Sequence, residues 1–243
     1  LRNPKIKMHT SKHIFYLLFF VVSPLAYSQT DRLEAGLAAM DRGHYATAIR
    51  SWMPLAEDGV PEAQNNIGHM YEEGLGVPQN YILAMNWYRQ AADNGLPEAQ
   101  HNMGLLYYHG YGVAQNLVES FSWFKKAADE GLMESEYMVG LAYERGDGVS
   151  LDYALAREYL LKSAKKNYSP AQLMYAFMLQ AGEGDDSDSY NGYLWGKIAE
   201  LNGEDEAVNV TSIASIPLDQ EDIDKANQTA ELCISQGIET CMD

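Results

Sequence analysis

Basic residues are scarce in this chain of 243 residues: 17 Lys and Arg stand against 34 Asp and Glu, for a formal net charge of −17. That balance argues against nucleic-acid binding through phosphate contacts, which needs a cationic face. Cysteine is scarcer still. With only Cys233 and Cys241, neither a disulfide framework nor a Cys-rich zinc module can be built. Low-complexity tracts are missing, and an aromatic content of 11% argues against long disorder. Long apolar runs are missing too. Residues 14–22, IFYLLFFVV, hold nine apolar residues, well short of the about 20 that a membrane-spanning helix needs.

What is present begins with an address. Arg2, Lys5, Lys7 and Lys12 precede the apolar run, and no acidic residue occurs before Asp31. Ala26 and Ser28 then put small residues at −3 and −1 before Gln29. Basic, apolar, then small is the order of a secretory signal peptide over residues 1–28, cleaved after Ser28. The start is Leu1 or, if translation begins later, Met8. Cleavage leaves 215 residues with 13 basic against 34 acidic side chains, a charge of −21. A periplasmic or secreted location is expected, with no transmembrane segment after cleavage.

The rest of the chain repeats. Residues 60–95, 96–131, 132–167 and 168–203 align without a gap as four copies of 36 residues, the fourth degenerate. A partial copy over 29–59 lacks the glycine loop but stays in step at Ala48, Ala56 and Gly59. Ala63, Ile67 and Tyr71, with their counterparts Ala99, Met103 and Tyr107, fall four apart and mark one face of a first helix. Between them Gly68, Gly104, Gly140 and Ala176 are small enough to admit a close neighbour. Gly74, Gly110, Gly146 and Gly182 end that helix, and a second glycine follows two residues on. Asn80, Asn116, Asp152 and Asp188 then stand where a second helix needs an N-cap. The second helix carries a bulky row, Trp87, Trp123, Tyr159 and Trp195. It stops at Gly95, Gly131, Asn167 and Gly203, residue types that accept a left-handed position.

Each unit is thus a helix–turn–helix hairpin that cannot bury its apolar stripes alone, and stacking gives an all-α solenoid of about twelve helices. Residues 204–243 form a C-terminal capping helix pair, with Asp219 capping a helix whose apolar stripe is Ile223, Ala226, Ala230 and Cys233. A Cys233–Cys241 disulfide would staple the tail to that helix, which the oxidising compartment allows.

The pattern A-x3-[LIM]-G-x2-Y-x2-G-x-G-V-x2-[ND]-x3-A-x2-W-[YF]-x2-AA-x2-G closely resembles the Sel1-like repeat family, relatives of the tetratricopeptide repeat. The resemblance covers about residues 30–203 and implies a right-handed superhelix with a concave groove lined by the first helices. It also implies binding of proteins or peptides, with exported bacterial members acting as adaptors in the cell envelope. By analogy with tetratricopeptide geometry, groove positions lie six and three before the first-helix glycine and one, four and five after it. They are Glu62, Asn65, His69, Glu72 and Glu73 in the first copy. The second gives Glu98, His101, Leu105, Tyr108 and His109, and the third Glu134, Tyr137, Leu141, Glu144 and Arg145. Such a surface attracts a basic partner. A monomer is expected, without cofactor.

Two other readings stay open: a structural component of an envelope assembly, and a β-lactam-binding or β-lactam-hydrolysing enzyme like cysteine-rich relatives. Residues 29–232 contain no cysteine. Two Ser-x-x-Lys matches occur, Ser122 with Lys125 and Ser163 with Lys166, but no S-D-N or K-T-G accompanies them, so no catalytic residue is assigned. His69, His101 and His109 can approach one another beside Glu72 and Glu73, yet no H-E-x2-H is present and no metal site is assigned. The stretch GEGDDSDSYNG lacks the glycine and glutamate of a calcium loop starting at Asp186 and is read as a turn.

Overall fold

The computed structural model describes residues 24–238, with side chains from Gln29 onward. Among the described residues there are twelve helices and no strand. They are α1 (Pro24–Asp41), α2 (Tyr45–Glu57), α3 (Pro61–Glu73), α4 (Tyr81–Asp93), α5 (Pro97–His109) and α6 (Leu117–Asp129). Then follow α7 (Met133–Arg145), α8 (Tyr153–Lys165), α9 (Ser169–Ala181), α10 (Ser189–Leu201), α11 (Ala207–Ala214) and α12 (Gln220–Gln236). Each helix packs on the next from α1 to α11, so α3/α4, α5/α6, α7/α8 and α9/α10 are the four repeats. At the C-terminal end α11 and α12 both lie against α10, and α11 also meets α9. The expected leader lies almost wholly outside the described residues, as does Cys241; Cys233 is fully buried on α12. No described helix is long and apolar enough to cross a membrane.

Local chemistry sets the helix ends. Asn80, Asn116, Asp152 and Asp188 accept the backbone N–H three residues on, at 3.0, 3.2, 3.0 and 3.0 Å, and Asp219 does the same for α12 at 2.9 Å. Each cap satisfies a donor that the helix leaves without a partner. Gly74, Gly110, Gly146 and Gly182 are left-handed and donate back into the first helix. The glycine two places later does a second job. A Cβ on Gly148 would sit 2.1 Å from the Leu117 carbonyl oxygen, and one on Gly112 2.9 Å from Tyr81. The turn therefore rests on the first residue of the preceding second helix. Asn167 is the only described non-glycine with positive φ, 68°. It takes the place that glycine holds in the other copies.

The core is a row of knobs and holes. A Cβ on Gly68 would lie 2.6 Å from the Tyr88 ring, one on Gly104 2.5 Å from Phe124, and one on Gly140 2.7 Å from Leu160. These knobs are fully or almost fully buried. They stand one residue after the expected Trp87, Trp123 and Tyr159 row. Helix phase decides this: the second residue of each pair points at the first helix of its own hairpin, leaving Trp87 and Tyr159 half-buried at the seam. Cations cover that seam, with Lys126 Nζ 3.8 Å over Trp123 and Lys162 Nζ 4.7 Å over Tyr159. The cap repeats the device, since a Cβ on Gly36 would meet Trp52 Nε1 at 2.0 Å.

The fourth repeat reverses it. Ala176 replaces the glycine of the first helix, and the knob position holds Gly196. The small residues have moved to α10, where Gly192 lies against α9 and a Cβ on Gly196 would meet Thr211 Cγ2 of α11 at 2.8 Å. Trp195, Leu194 and Ile198 remain buried. So this copy is not loosened. It turns its hole outward and seats α11.

Candidate functional site

The first helices α3, α5, α7 and α9 carry the expected groove positions, and the residues there differ along the chain. At the N-terminal end Glu62, Asn65 and Glu98 line one cavity of about 270 Å³ with Leu37, Asn66 and Leu96. Asn102 Nδ2 donates to Asn65 Oδ1 at 2.9 Å and ties α5 to α3. His69 and Glu73 are exposed, and Glu72 Oε2 accepts the buried Tyr88 hydroxyl at 2.5 Å. Burial, followed by the Glu72 charge, raises the pKa of Tyr88, so it stays a donor.

The three histidines do not converge. His69, Glu72 and Glu73 are the one group of three metal-capable side chains together among the described residues, all on α3 and within 4.8 Å of one another. His69 and Glu73 are open to solvent and the half-buried Glu72 carboxylate is already used by Tyr88, so the trio carries no metal assignment. His109 stands among rings, 5.1 Å from Tyr108 and 5.1 Å from Tyr111. His101 is largely buried rather than exposed. Its Nδ1 lies 2.8 Å from Ser135 Oγ of α7 and its ring 5.2 Å from Phe124. Burial lowers its pKa to about 4. It is a bolt between repeats, because the Gly104 hole draws Phe124 against its ring.

Between the second and third copies, Tyr108 on one side and Leu141 and Arg145 on the other face a gap of only about 10 Å³, which is packing space. Arg145 Nε donates to Glu144 Oε2 at 3.1 Å. Tyr137 instead belongs to a much larger cavity, of about 500 Å³, walled by α7, α9 and the α11 region. Its apolar wall is Pro170, Leu173, Met174, Phe177 and Val210, and Glu204, Glu206 and Asn209 complete it. Pro170, Leu173 and Phe177 are the six-before, three-before and one-after positions counted from Ala176. Carrying the count into the fourth copy would have found them. The α11 contribution has no repeat to announce it.

A second recurring column also went unread. Gln64, Gln100 and Gln172 are buried and donate through Nε2 to the carbonyls of Ala56, Ala92 and Ala164 at 3.1, 3.3 and 3.2 Å. Each ties a first helix to the end of the preceding second helix. In the third copy Glu136 cannot donate, and Lys166 Nζ replaces the link by bridging Glu136 and the Gly131 carbonyl at 2.7 and 2.8 Å. The Ser-x-x-Lys matches are likewise structural. Ser163 is buried and donates to the Met133 carbonyl at 2.8 Å, and exposed Ser122 lies on α6 with Lys125 paired to Asp129.

The Sel1 repeat model matches residues 61–96, 97–132, 134–168 and 169–203, more than half of the chain. The chain belongs to the Sel1 repeat family. A search among curated proteins finds no match. Among solved structures, a Sel1 repeat protein from Oxalobacter formigenes is 28% identical with a TM-score of 0.71, over 88% of this chain and 90% of that one. A protective antigen of uropathogenic Escherichia coli displaying an SLR fold is 24% identical with a TM-score of 0.77. It is matched over 88% of this chain but only 47% of its own length, which supports the fold alone. Sel1 repeats generally mediate protein–protein interaction and are typically non-enzymatic scaffolds.

Proposed function

We propose that this Sel1 repeat protein is an exported, non-catalytic adaptor of the bacterial cell envelope that holds a protein or peptide along the surface of its first helices. One observation carries the reading: positions chosen by repeat register alone line cavities on that surface, Glu62, Asn65 and Glu98 at one end and Tyr137 at the other. Several modest contacts presented by a stiff stack add up to useful affinity. The acidic balance of the chain favours a basic partner and supports fast, salt-sensitive capture. The basic, apolar and small segments of residues 1–28 support export.

Cross-linking in intact cells followed by mass spectrometry tests the reading. It expects mature protein beginning at Gln29 joined to an envelope or extracytoplasmic partner through first-helix residues; cytoplasmic partners joined through second helices would refute it. Incubation with a chromogenic cephalosporin tests the absence of catalysis. Turnover no faster than a heat-inactivated control is expected, and clear turnover would move the assignment to the enzymatic relatives.

A further inference from the structure

The two ends of the first-helix surface present different chemistry, and the C-terminal end is the more selective. Repeat positions that hold Glu62, Asn65 and His69 in the first copy hold Pro170, Leu173 and Phe177 in the fourth. Phe177 is 43% exposed, high for a large aromatic side chain that lines a cavity. The cavity beside it, at about 500 Å³, is within the range of sites that take a ligand group and has room for a large side chain.

Its border is acidic. Glu204 and Glu206 stand where the chain enters α11, and Ser169 Oγ donates to Glu204 Oε1 at 2.7 Å, holding that carboxylate beside the start of α9. Glu134 sits three residues before Tyr137 on α7, hence on the same helix face. Its Oε2 is buried and accepts no hydrogen bond. That oxygen has no accessible surface, so the carboxylates open to a partner at this cavity are Glu204 and Glu206. Tyr137 meets the Tyr168 ring edge to face, with 5.4 Å between centroids. The nearby cation Arg145 is already paired with Glu144.

Resting on the adaptor reading above, the geometry points to a specific occupant for this end: a partner segment in which a large apolar side chain enters beside Phe177 while a neighbouring Lys or Arg reaches Glu204 and Glu206. An acyl chain would fill the apolar wall but bring no cation to Glu204 and Glu206. A second copy of this chain would bring a net charge of −17 against the same sign. An apolar residue next to a basic one satisfies both features.

A random-peptide display library selected on the purified protein supplies the probe, with the best peptide measured by fluorescence anisotropy. Enrichment of Leu, Met or Phe within four residues of Lys or Arg is expected. Phe177→Asp should weaken binding at least about tenfold. Glu206→Gln should weaken it about fivefold and remove most of the further effect of replacing the peptide's basic residue by Ala, as coupled partners do. An exposed control on a second helix, Glu119→Gln of α6, should leave affinity unaltered, and circular-dichroism melts establish that all variants fold. Acidic or purely apolar selected peptides would overturn the inference. So would peptides that ignore Phe177→Asp but lose affinity with paired Glu62→Gln and Glu98→Gln changes at the other end of the surface, although the adaptor reading would then survive. If no peptide is enriched, both fail. Concentration-dependent dimerisation abolished by Phe177→Asp would assign the surface to self-association and also overturn it.

Discussion

The second and fourth repeats solve the same packing problem in opposite directions. In the second, Gly104 on the first helix receives Phe124 from the second helix. In the fourth, Ala176 stands on the first helix, and the glycines at 192 and 196 are on the second, where Gly196 receives Thr211 from α11. The second repeat closes on itself and hands a regular surface to the next. The fourth opens toward its C-terminal side, and the helix it admits supplies Val210 and Asn209 to the large cavity. A departure from the repeat pattern that reads as decay is the place where the large cavity is made.

The comparison breaks most visibly at the second repeat's hole. Gly104→Leu forces a side chain into Phe124, an overpacking expected to cost about 3 kcal/mol and to lower the melting temperature strongly. A normal melt would mean that the close approach is dispensable. His101 separates the two ends next, because Leu173 holds its place in the fourth copy. Burial keeps the folded imidazole neutral down to about pH 4, whereas the unfolded one takes a proton near its ordinary value of 6.5. Its contribution is therefore complete above pH 6.5 and is lost as pH falls toward 4, on the order of 3 kcal/mol in all. His101→Gln should flatten the stability profile over that window, read by urea denaturation at several pH values; an unchanged slope would contradict the burial assignment.

Gly196→Ala sharpens the fourth repeat. The collision with Thr211 should outweigh a helix-propensity gain of about 1 kcal/mol, for a net loss of about 1 kcal/mol. In a Thr211→Ser background, which lacks Cγ2, the same change should become neutral or stabilising. Asn116→Ala and Asp188→Ala test caps that the two repeats share, and each should cost about 1 kcal/mol in thermal denaturation. The smallest effect is expected at the surface, where Glu98→Gln should shift stability by less than about 0.5 kcal/mol.

Most of the architecture was legible because it is local. Caps, left-handed glycines and the 36-residue period depend on a few neighbouring residues, and the chain shows each of them several times. Helix phase was legible only in part. Trp87 is more conspicuous than Tyr88, yet the angle of the second helix toward its own hairpin selects Tyr88 for the Gly68 hole. The first-helix surface was legible as a set of positions, but not as chemistry. Whether His101 is exposed depends on Phe124 and Ser135 in other helices. The acidic border at Glu204 and Glu206 depends on where α11 docks, and nothing in the repeat encodes that.

Photo-cross-linking from two exposed apolar positions tests the functional claim most directly. A benzophenone side chain at Phe177, on a first helix, is compared with one at Ile82, on a second helix and 61% exposed. The captured peptide is expected to join Phe177 and not Ile82. Equal labelling of both, or labelling of Ile82 alone, would contradict it.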